Sequence, residues 1–288
     1  MFLPLAALTT IGPTKEIAPG VTMPRLSLGH PDDGSHTTAN GTKAALLLWL
    51  SPQVGGVGID TAYKYMNQQA VGAAIRESGR SRSSVFVTTK VPGSIGRAEA
   101  LQNLQLDLSQ LGLAQIDLAL IHGPCSNMTH GGCTHASDEQ IRQTWLGLED
   151  ARDAGLARAI GVSNFAISDL NALLSLNRSK PAVNQCHMSV ADHDDATREF
   201  CQSQGIAYEA YSPLGRNGTR TPLNFSDPRI VHIAQAHNKS SYQVCLRWIV
   251  QLDCLLTFSS TKLSHDLADE DIFDFELTAA EMDTLAAI

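Results

Sequence analysis

Short runs of β-forming residues alternate with longer stretches of helical pattern, from about residue 24 to the end of the chain. There are eight such runs, the number of strands in a closed (β/α)8 barrel. They cover residues 25–28, 57–60, 85–90, 116–122, 159–162, 182–185, 206–211 and 254–258. A fold built from hairpins does not give this repeat of strand and then helix. The pattern predicts an α/β protein, which we take to be a (β/α)8 TIM barrel.

Helical patterns fill the gaps between the predicted strands. The clearest cover residues 67–77, 97–111, 138–154 and 194–204, and glycines stand where these helices should end, at Gly79, Gly112, Gly155 and Gly205. An open doubly wound sheet would show the same alternation, so periodicity alone does not decide between barrel and sheet. No linker rich in Pro, Gly or Ser divides the 288 residues, and we therefore predict a single domain over residues 1–288.

The composition is that of an ordinary globular protein and excludes several other classes. Hydrophobic residues make up 43% of the chain and charged residues 17%, which excludes a largely disordered protein. The formal net charge of −8 predicts repulsion from nucleic acids and anionic membranes, so a bound phosphate needs a local site. The longest apolar stretch, residues 44–50, is too short to span a bilayer. We predict a soluble, cytoplasmic protein.

Four polar residues stand at the ends of three successive predicted strands. Asp60 stands at the end of the second strand and Tyr65 just beyond it, Lys90 closes the third and His122 closes the fourth. A barrel brings the carboxyl ends of its strands to one mouth. We therefore expect these four side chains to share a pocket, although the chain separates them widely.

Together these side chains suit the reduction of a carbonyl group. An ammonium beside a phenol stabilises the phenolate, so Lys90 would make Tyr65 a stronger acid. Asp60 would orient Lys90 through an ion pair, and His122 would donate a hydrogen bond to an oxygen that gains negative charge. No side chain supplies a hydride, so the reaction needs a cofactor.

Several motifs, in order along the chain, resemble those of the aldo-keto reductase superfamily. The segment that begins Gly58-Ile-Asp-Thr-Ala-Tyr is similar to the first signature of the family, and Ile160-Gly-Val-Ser-Asn-Phe is similar to the second. The matching segments are residues 58–72, 88–90, 120–124, 160–165, 184–185, 210–215 and 273–278. The resemblance covers about residues 20–288 and implies a barrel that binds a dinucleotide without a Rossmann fold.

The resemblance also implies a role for each matching residue. Tyr65 would be the general acid, with Lys90 and Asp60 tuning it and His122 orienting the substrate. The implied cofactor residues are Ser163, Asn164 and Gln185 at the nicotinamide amide, Tyr211 against the nicotinamide ring, and Ser212 and Leu214 at the pyrophosphate.

The segment after the last predicted strand departs from the family pattern. Phe258 stands where the family has a lysine, and the family's arginine has no clear equivalent. Ser259, Ser260 and Lys262 are the residues left to bind the adenosine 2′-phosphate. We predict NADPH as the cofactor, and NADH stays the open alternative.

The cysteines and histidines of residues 122–135 invite a second interpretation. His122, Cys125, His130, Cys133 and His135 cluster there, but their spacing matches none of the usual zinc patterns. We predict no metal site and interpret the segment as a substrate-binding loop. Six cysteines without a C-x-x-C pair predict reduced thiols, and pairing of Cys125 with Cys133 stays open.

The leading hypothesis is therefore an NADPH-dependent reductase of an aldehyde or ketone, with a small-molecule carbonyl substrate. The family resemblance implies a monomer. One alternative is a dinucleotide-binding regulatory or sensor protein with little turnover, and retention of all four catalytic residues argues against it. A second is a specialised carbonyl reductase of secondary metabolism with a large polyketide-like substrate. The unusual residues 29–33 and the long segment 123–137 favour the second.

Overall fold

The computed structural model describes residues 12–29, 39–129, 132–215 and 222–288. Within them eight parallel strands close into a barrel, and one or more helices follow each barrel strand. The barrel strands, in their order around the ring, are β3 (Leu26–Leu28), β4 (Gly58–Asp60), β5 (Phe86–Val91), β6 (Ile116–Ile121), β9 (Ala157–Ser163), β10 (Val183–His187), β11 (Ala207–Tyr211) and β12 (Leu255–Phe258). The predicted single-domain (β/α)8 barrel is confirmed, and each barrel strand overlaps one of the eight predicted runs.

Ten helices surround the barrel in the described part of the chain. They are α1 (Ala39–Trp49), α2 (Gln68–Glu77), α3 (Arg97–Leu111), α4 (Asp138–Asp153), α5 (Ile167–Leu174), α6 (Asp195–Ser203), α7 (Pro228–His237), α8 (Ser241–Gln251), α9 (Leu263–Glu270) and α10 (Ala279–Ala286). Local sequence fixes several of their ends. Ser137 and Gln140 form a reciprocal capping box at the start of α4, and Gly112 ends α3 in the left-handed conformation, with φ 67°. None of these helices is long and apolar enough to cross a membrane.

The strand period of two divides the barrel wall into an inner and an outer face. Outward side chains such as Val87, Ile121 and Leu256 pack against the helices in the larger of two apolar clusters. Inward side chains such as Phe86, Leu118 and Leu255 fill the lower interior in a second cluster. The interior therefore holds hydrocarbon in its lower part, and polar side chains stand above it, toward the carboxyl ends of the strands.

A short antiparallel hairpin closes the amino-terminal end of the barrel. It consists of β1 (Thr14–Ala18) and β2 (Val21–Pro24), and Ile17, Val21 and Met23 join the lower interior cluster. Met23 is completely buried. The hairpin acts as an apolar floor, so the interior opens at the opposite end of the barrel, where the predicted site residues lie.

A second hairpin, β7 (Cys125–Thr129) and β8 (Gly132–His135), follows β6 at the mouth. A disulfide joins Cys125 and Cys133, whose Cα atoms are 5.4 Å apart. This answers the question that the sequence left open for Cys125 and Cys133, because hairpin formation brings together two residues that are eight positions apart. The four other cysteines are free thiols: Cys186, Cys201, Cys245 and Cys254.

Candidate active site

A buried ion pair forms the centre of the polar layer inside the barrel. Lys90 Nζ lies 2.5 Å from Asp60 Oδ1 and donates to the Thr61 carbonyl oxygen at 3.2 Å. Lys90 on β5 is 1% exposed and Asp60 on β4 is 5% exposed. Burial opposes the charge on Lys90, but the charges of Asp60, Tyr65 and Glu209 and the hydrogen bond to Asp60 raise the pKa of Lys90 above its ordinary value. Lys90 is therefore a permanent cation in the layer.

Gln185 extends this pair across the barrel to β11. Its Nε2 donates to Asp60 Oδ2 and to Glu209 Oε2, both at 2.8 Å. Gln185 and Glu209 lie directly opposite each other in the register of β10 and β11. Sequence reasoning missed Glu209. A carboxylate at an inward position two residues before Tyr211, in an otherwise apolar strand, was the signal that could have found it.

Tyr65 and His122 stand beside the ion pair. Lys90 Nζ lies 5.2 Å from the centroid of the Tyr65 ring, and that ring meets the His122 ring edge to face at 5.6 Å between centroids. A short 3₁₀ turn, Tyr63–Tyr65, delivers the tyrosine from the end of β4, and Met66 ends the turn in the left-handed conformation. The structure thus brings the four predicted catalytic residues into one chain of contacts.

His122 is held in its neutral form. Burial, with the nearby charges of Lys90 and Lys64, lowers the pKa of His122 to about 3. Its Nδ1 atom is buried and has no hydrogen-bond partner among the described residues. A neutral imidazole carries one N–H donor and one acceptor nitrogen, so His122 can donate a hydrogen bond while it stays uncharged.

This neutral state predicts an acid-sensitive contribution to stability. An unfolded histidine takes up a proton near pH 6.5, whereas folded His122 does so only near pH 3, so acidification between these values favours the unfolded chain. We expect acidification from about pH 7 to about pH 4.5 to cost the wild type about 2 to 3 kcal/mol more of its free energy of unfolding than it costs His122→Gln. Urea unfolding of both proteins at the two pH values measures this. An equal loss in the two proteins would show that folded His122 titrates normally.

The end of β9 is tied to the neighbouring strand and to His122 by hydrogen bonds. Ser163 Oγ donates to the Gln185 carbonyl oxygen at 2.8 Å, and Asn164 Nδ2 donates to the His122 carbonyl oxygen at 3.0 Å. Tyr211 donates its hydroxyl to Asn164 Oδ1 at 2.9 Å. Asn164 adopts the left-handed conformation, with φ 60°, which asparagine tolerates. Four of the predicted cofactor residues therefore form one network next to the ion pair.

The other predicted cofactor residues lie in two loops. Ser212 and Leu214 belong to a turn after β11, in which the Gly215 amide donates to the Ser212 carbonyl oxygen. Ser260 and Lys262 lie in the loop before α9, where the Lys262 amide donates to Ser260 Oγ at 3.3 Å. The loop also contains Ser259, which is exposed. No hydrogen bond that the structure shows in the described residues joins Ser260 or Lys262 to the Lys90–Gln185 network.

Phe258 does not face the mouth. Its ring is buried and meets the Trp49 ring edge to face at 5.4 Å, beneath α1. Trp49 is in turn fixed by its indole N–H, which donates to the Gly58 carbonyl oxygen at 2.8 Å. The departure from the family lysine therefore places an aromatic side chain in the outer core and leaves no cation at position 258.

The segment that invited a zinc hypothesis has other partners in the structure. Cys125 and Cys133 are bonded to each other, and His135 Nε2 lies 2.9 Å from Asp169 Oδ1. His130 lies outside the described residues. Within the described ranges no group of three His, Cys, Asp or Glu side chains is arranged to hold a metal ion.

Comparison with known proteins decides the family. The model of the aldo/keto reductase family matches residues 28–288, nearly the whole chain. The chain belongs to the aldo/keto reductase family. This confirms the family predicted from the motifs and identifies the protein as an oxidoreductase.

Individual members of the family are similar over most of their length. Glyoxal reductase from Bacillus subtilis is 34% identical over 281 residues, which cover 97% of this chain and 94% of that protein. 2,5-Diketo-D-gluconic acid reductase B from a Corynebacterium species is 36% identical over 231 residues, covering 80% and 78%. Among solved structures, a Bombyx mori aldo-keto reductase in complex with NADP has a TM-score of 0.87 at 30% identity, covering 97% of this reductase and 93% of that chain.

Proposed function

We propose that this reductase uses NADPH to convert an aldehyde or ketone to an alcohol, with Tyr65 as the proton donor. The observation that carries the proposal is the contact between the Tyr65 ring, the buried Lys90–Asp60 pair and the neutral His122 at the mouth of the barrel. A phenol between an ammonium and a hydrogen-bond donor is suited to protonate a carbonyl oxygen.

The polar groups near the ion pair fit a nicotinamide. Its carboxamide needs both hydrogen-bond donors and acceptors, and Ser163, Asn164 and Gln185 supply a hydroxyl and two carboxamides on neighbouring strands. Tyr211 adds a flat ring fixed by its bond to Asn164. The solved relative from Bombyx mori, with the same fold, was crystallised with NADP. These residues are the ones that we propose to hold the nicotinamide.

The residues of this chain would divide the chemistry as follows. When bound, the reduced nicotinamide supplies a hydride to the carbonyl carbon. Tyr65 transfers its phenolic proton to the carbonyl oxygen, and Lys90 stabilises the phenolate that is left. Asp60 holds Lys90 in place through the 2.5 Å ion pair, while His122 donates a hydrogen bond to the same carbonyl oxygen.

A small carbonyl compound is the substrate class that we favour. The two relatives reported above are named for glyoxal and for 2,5-diketo-D-gluconic acid, both small molecules with more than one carbonyl group. No observation on the described residues favours the large polyketide-like substrate. The sensor alternative predicts tight binding of NADPH without turnover. Steady oxidation of NADPH with a panel of small aldehydes and dicarbonyls supports the enzyme, whereas binding without oxidation supports the sensor.

We expect the reductase to prefer NADPH over NADH through the loop before α9. Phe258 supplies no charge there, so Lys262, which is exposed, is the cation that we propose for the adenosine 2′-phosphate. Lys262→Met should weaken NADPH binding by about tenfold and leave NADH binding unchanged. Titrations followed by nicotinamide fluorescence measure both constants. Equal wild-type affinities for the two cofactors would overturn the NADPH preference.

The cytoplasmic location and the monomeric state stay predictions.

A further inference from the structure

Glu209 is a buried carboxyl group that the proposed chemistry does not use. It lies on the inner face of β11 and is completely buried. Its Oε2 accepts a hydrogen bond from Gln185 Nε2 at 2.8 Å, while its Oε1 has no partner among the described residues. Burying a carboxyl group costs free energy unless the group is hydrogen-bonded. The hydrogen bond from Gln185 is therefore the contact that indicates the role of Glu209 in this layer.

The hydrogen bond to Glu209 gives the second N–H group of the Gln185 amide an acceptor. An amide NH₂ group has two N–H bonds, and those of Gln185 go to Asp60 and Glu209. With both N–H groups held by acids on opposite sides, the side chain has one orientation. Its carbonyl oxygen is then the only hydrogen-bonding group of Gln185 left for a ligand, and it accepts rather than donates.

We propose that Glu209 is a positioning residue that fixes the Gln185 carboxamide so that it presents its carbonyl oxygen to the amide N–H groups of the nicotinamide. The inference rests on the proposed function, in which Gln185 contacts the cofactor. Asp60 alone holds one N–H group and leaves the amide free to rotate about that bond. The second bond, from β11, removes this freedom before the cofactor arrives, which lowers the entropic cost of binding.

The charges around Glu209 determine its protonation state, and this makes Glu209→Gln the matched control substitution. The charged groups that face it across the layer are Asp60 from β4 and Lys90 from β5, while the β10 neighbour Gln185 is neutral. Burial and the negative charge of Asp60 raise the pKa of Glu209 well above that of an ordinary glutamate. Glu209 therefore keeps its proton near neutral pH, and Glu209→Gln preserves both its shape and its acceptor oxygen.

The experiment compares two ligands on three proteins. Wild type, Glu209→Gln and Glu209→Met are titrated near neutral pH with NADPH and with 2′-phosphoadenosine 5′-diphosphoribose, which lacks the nicotinamide. We expect Glu209→Met to bind NADPH about tenfold more weakly, the effect of one lost orienting hydrogen bond, and to bind the nicotinamide-free ligand as tightly as the wild type. Glu209→Gln is expected to match the wild type for both ligands.

Each other outcome overturns the inference in an identifiable way. Unchanged NADPH binding by Glu209→Met shows that Gln185 needs no second anchor, and equal weakening of both ligands shows general structural damage. A Glu209→Gln variant as weak as Glu209→Met shows that the acceptor oxygen is not what matters. Should Glu209→Met fail to fold, Glu209→Asp replaces it, because the shorter side chain withdraws the acceptor by one methylene. A wild type that binds neither ligand would instead refute the proposed function.

Discussion

Tyr65→Phe is expected to lower kcat for carbonyl reduction by about 10²- to 10⁴-fold, the usual contribution of a positioned general acid. The substitution removes one hydroxyl group and leaves the ring in contact with His122 and Lys90. NADPH binding should therefore stay near that of the wild type, and the loss should fall on turnover. Oxidation of NADPH with saturating aldehyde measures kcat, and a fluorescence titration measures binding.

Tyr63 provides the control for this experiment. It belongs to the same 3₁₀ turn as Tyr65 and lies two positions earlier, and it is half-buried. Tyr63→Phe removes an equivalent hydroxyl from the same turn and should retain most of the activity. The assignment of the acid fails if Tyr65→Phe turns over normally, or if Tyr63→Phe is the variant that loses activity.

Lys90→Met is expected to destabilise the reductase by about 3–5 kcal/mol, the typical cost of removing one partner from a buried ion pair. The substitution leaves the buried carboxylate of Asp60 without the cation that it pairs with. It should also abolish carbonyl reduction, because Tyr65 loses the ammonium that stabilises its phenolate. Urea unfolding near neutral pH measures the free energy of unfolding.

Two further variants show whether the Lys90 effect comes from the pair itself. Lys43 pairs with Glu77 at 3.1 Å on the helical surface, and Lys43→Met should cost less than about 1 kcal/mol. The double variant Lys90→Met with Asp60→Asn removes the uncompensated charge, so it should regain stability without regaining activity. A Lys90→Met protein as stable as Lys43→Met would mean that Asp60 does not depend on this cation.

The barrel could be predicted from sequence because its signals are local. Each barrel strand is a short apolar run followed by a helical period, and Asp60, Lys90 and His122 stand at strand ends that a closed barrel must bring together. The two hairpins could not be predicted in the same way. The strands of β1–β2 and β7–β8 are only four or five residues long, too short to differ from loops, and β1–β2 is stabilised by its place in the lower interior cluster while β7–β8 is stabilised by its disulfide.

The contacts that depend on register were beyond the sequence. The disulfide between Cys125 and Cys133 requires the hairpin that brings them together, and the bond between Gln185 and Glu209 requires two strands to align residue by residue. The outward direction of Phe258 follows from strand alternation counted from Thr257 and Leu255. The family pattern nevertheless identified the position only as a missing lysine, without indicating that Trp49 would cover it.

The apolar floor beneath the polar layer has a consequence for how protons and ligands reach and leave the site. In the described part of the chain, the hairpin end of the interior is lined by buried apolar side chains such as Met23, Leu118 and Leu255. In the proposed reaction we therefore expect the proton that restores the Tyr65 hydroxyl to enter at the mouth of the barrel, where the alcohol and the oxidised nucleotide leave. A ligand that stays bound at the mouth is then expected to slow reprotonation of Tyr65 as well as product release.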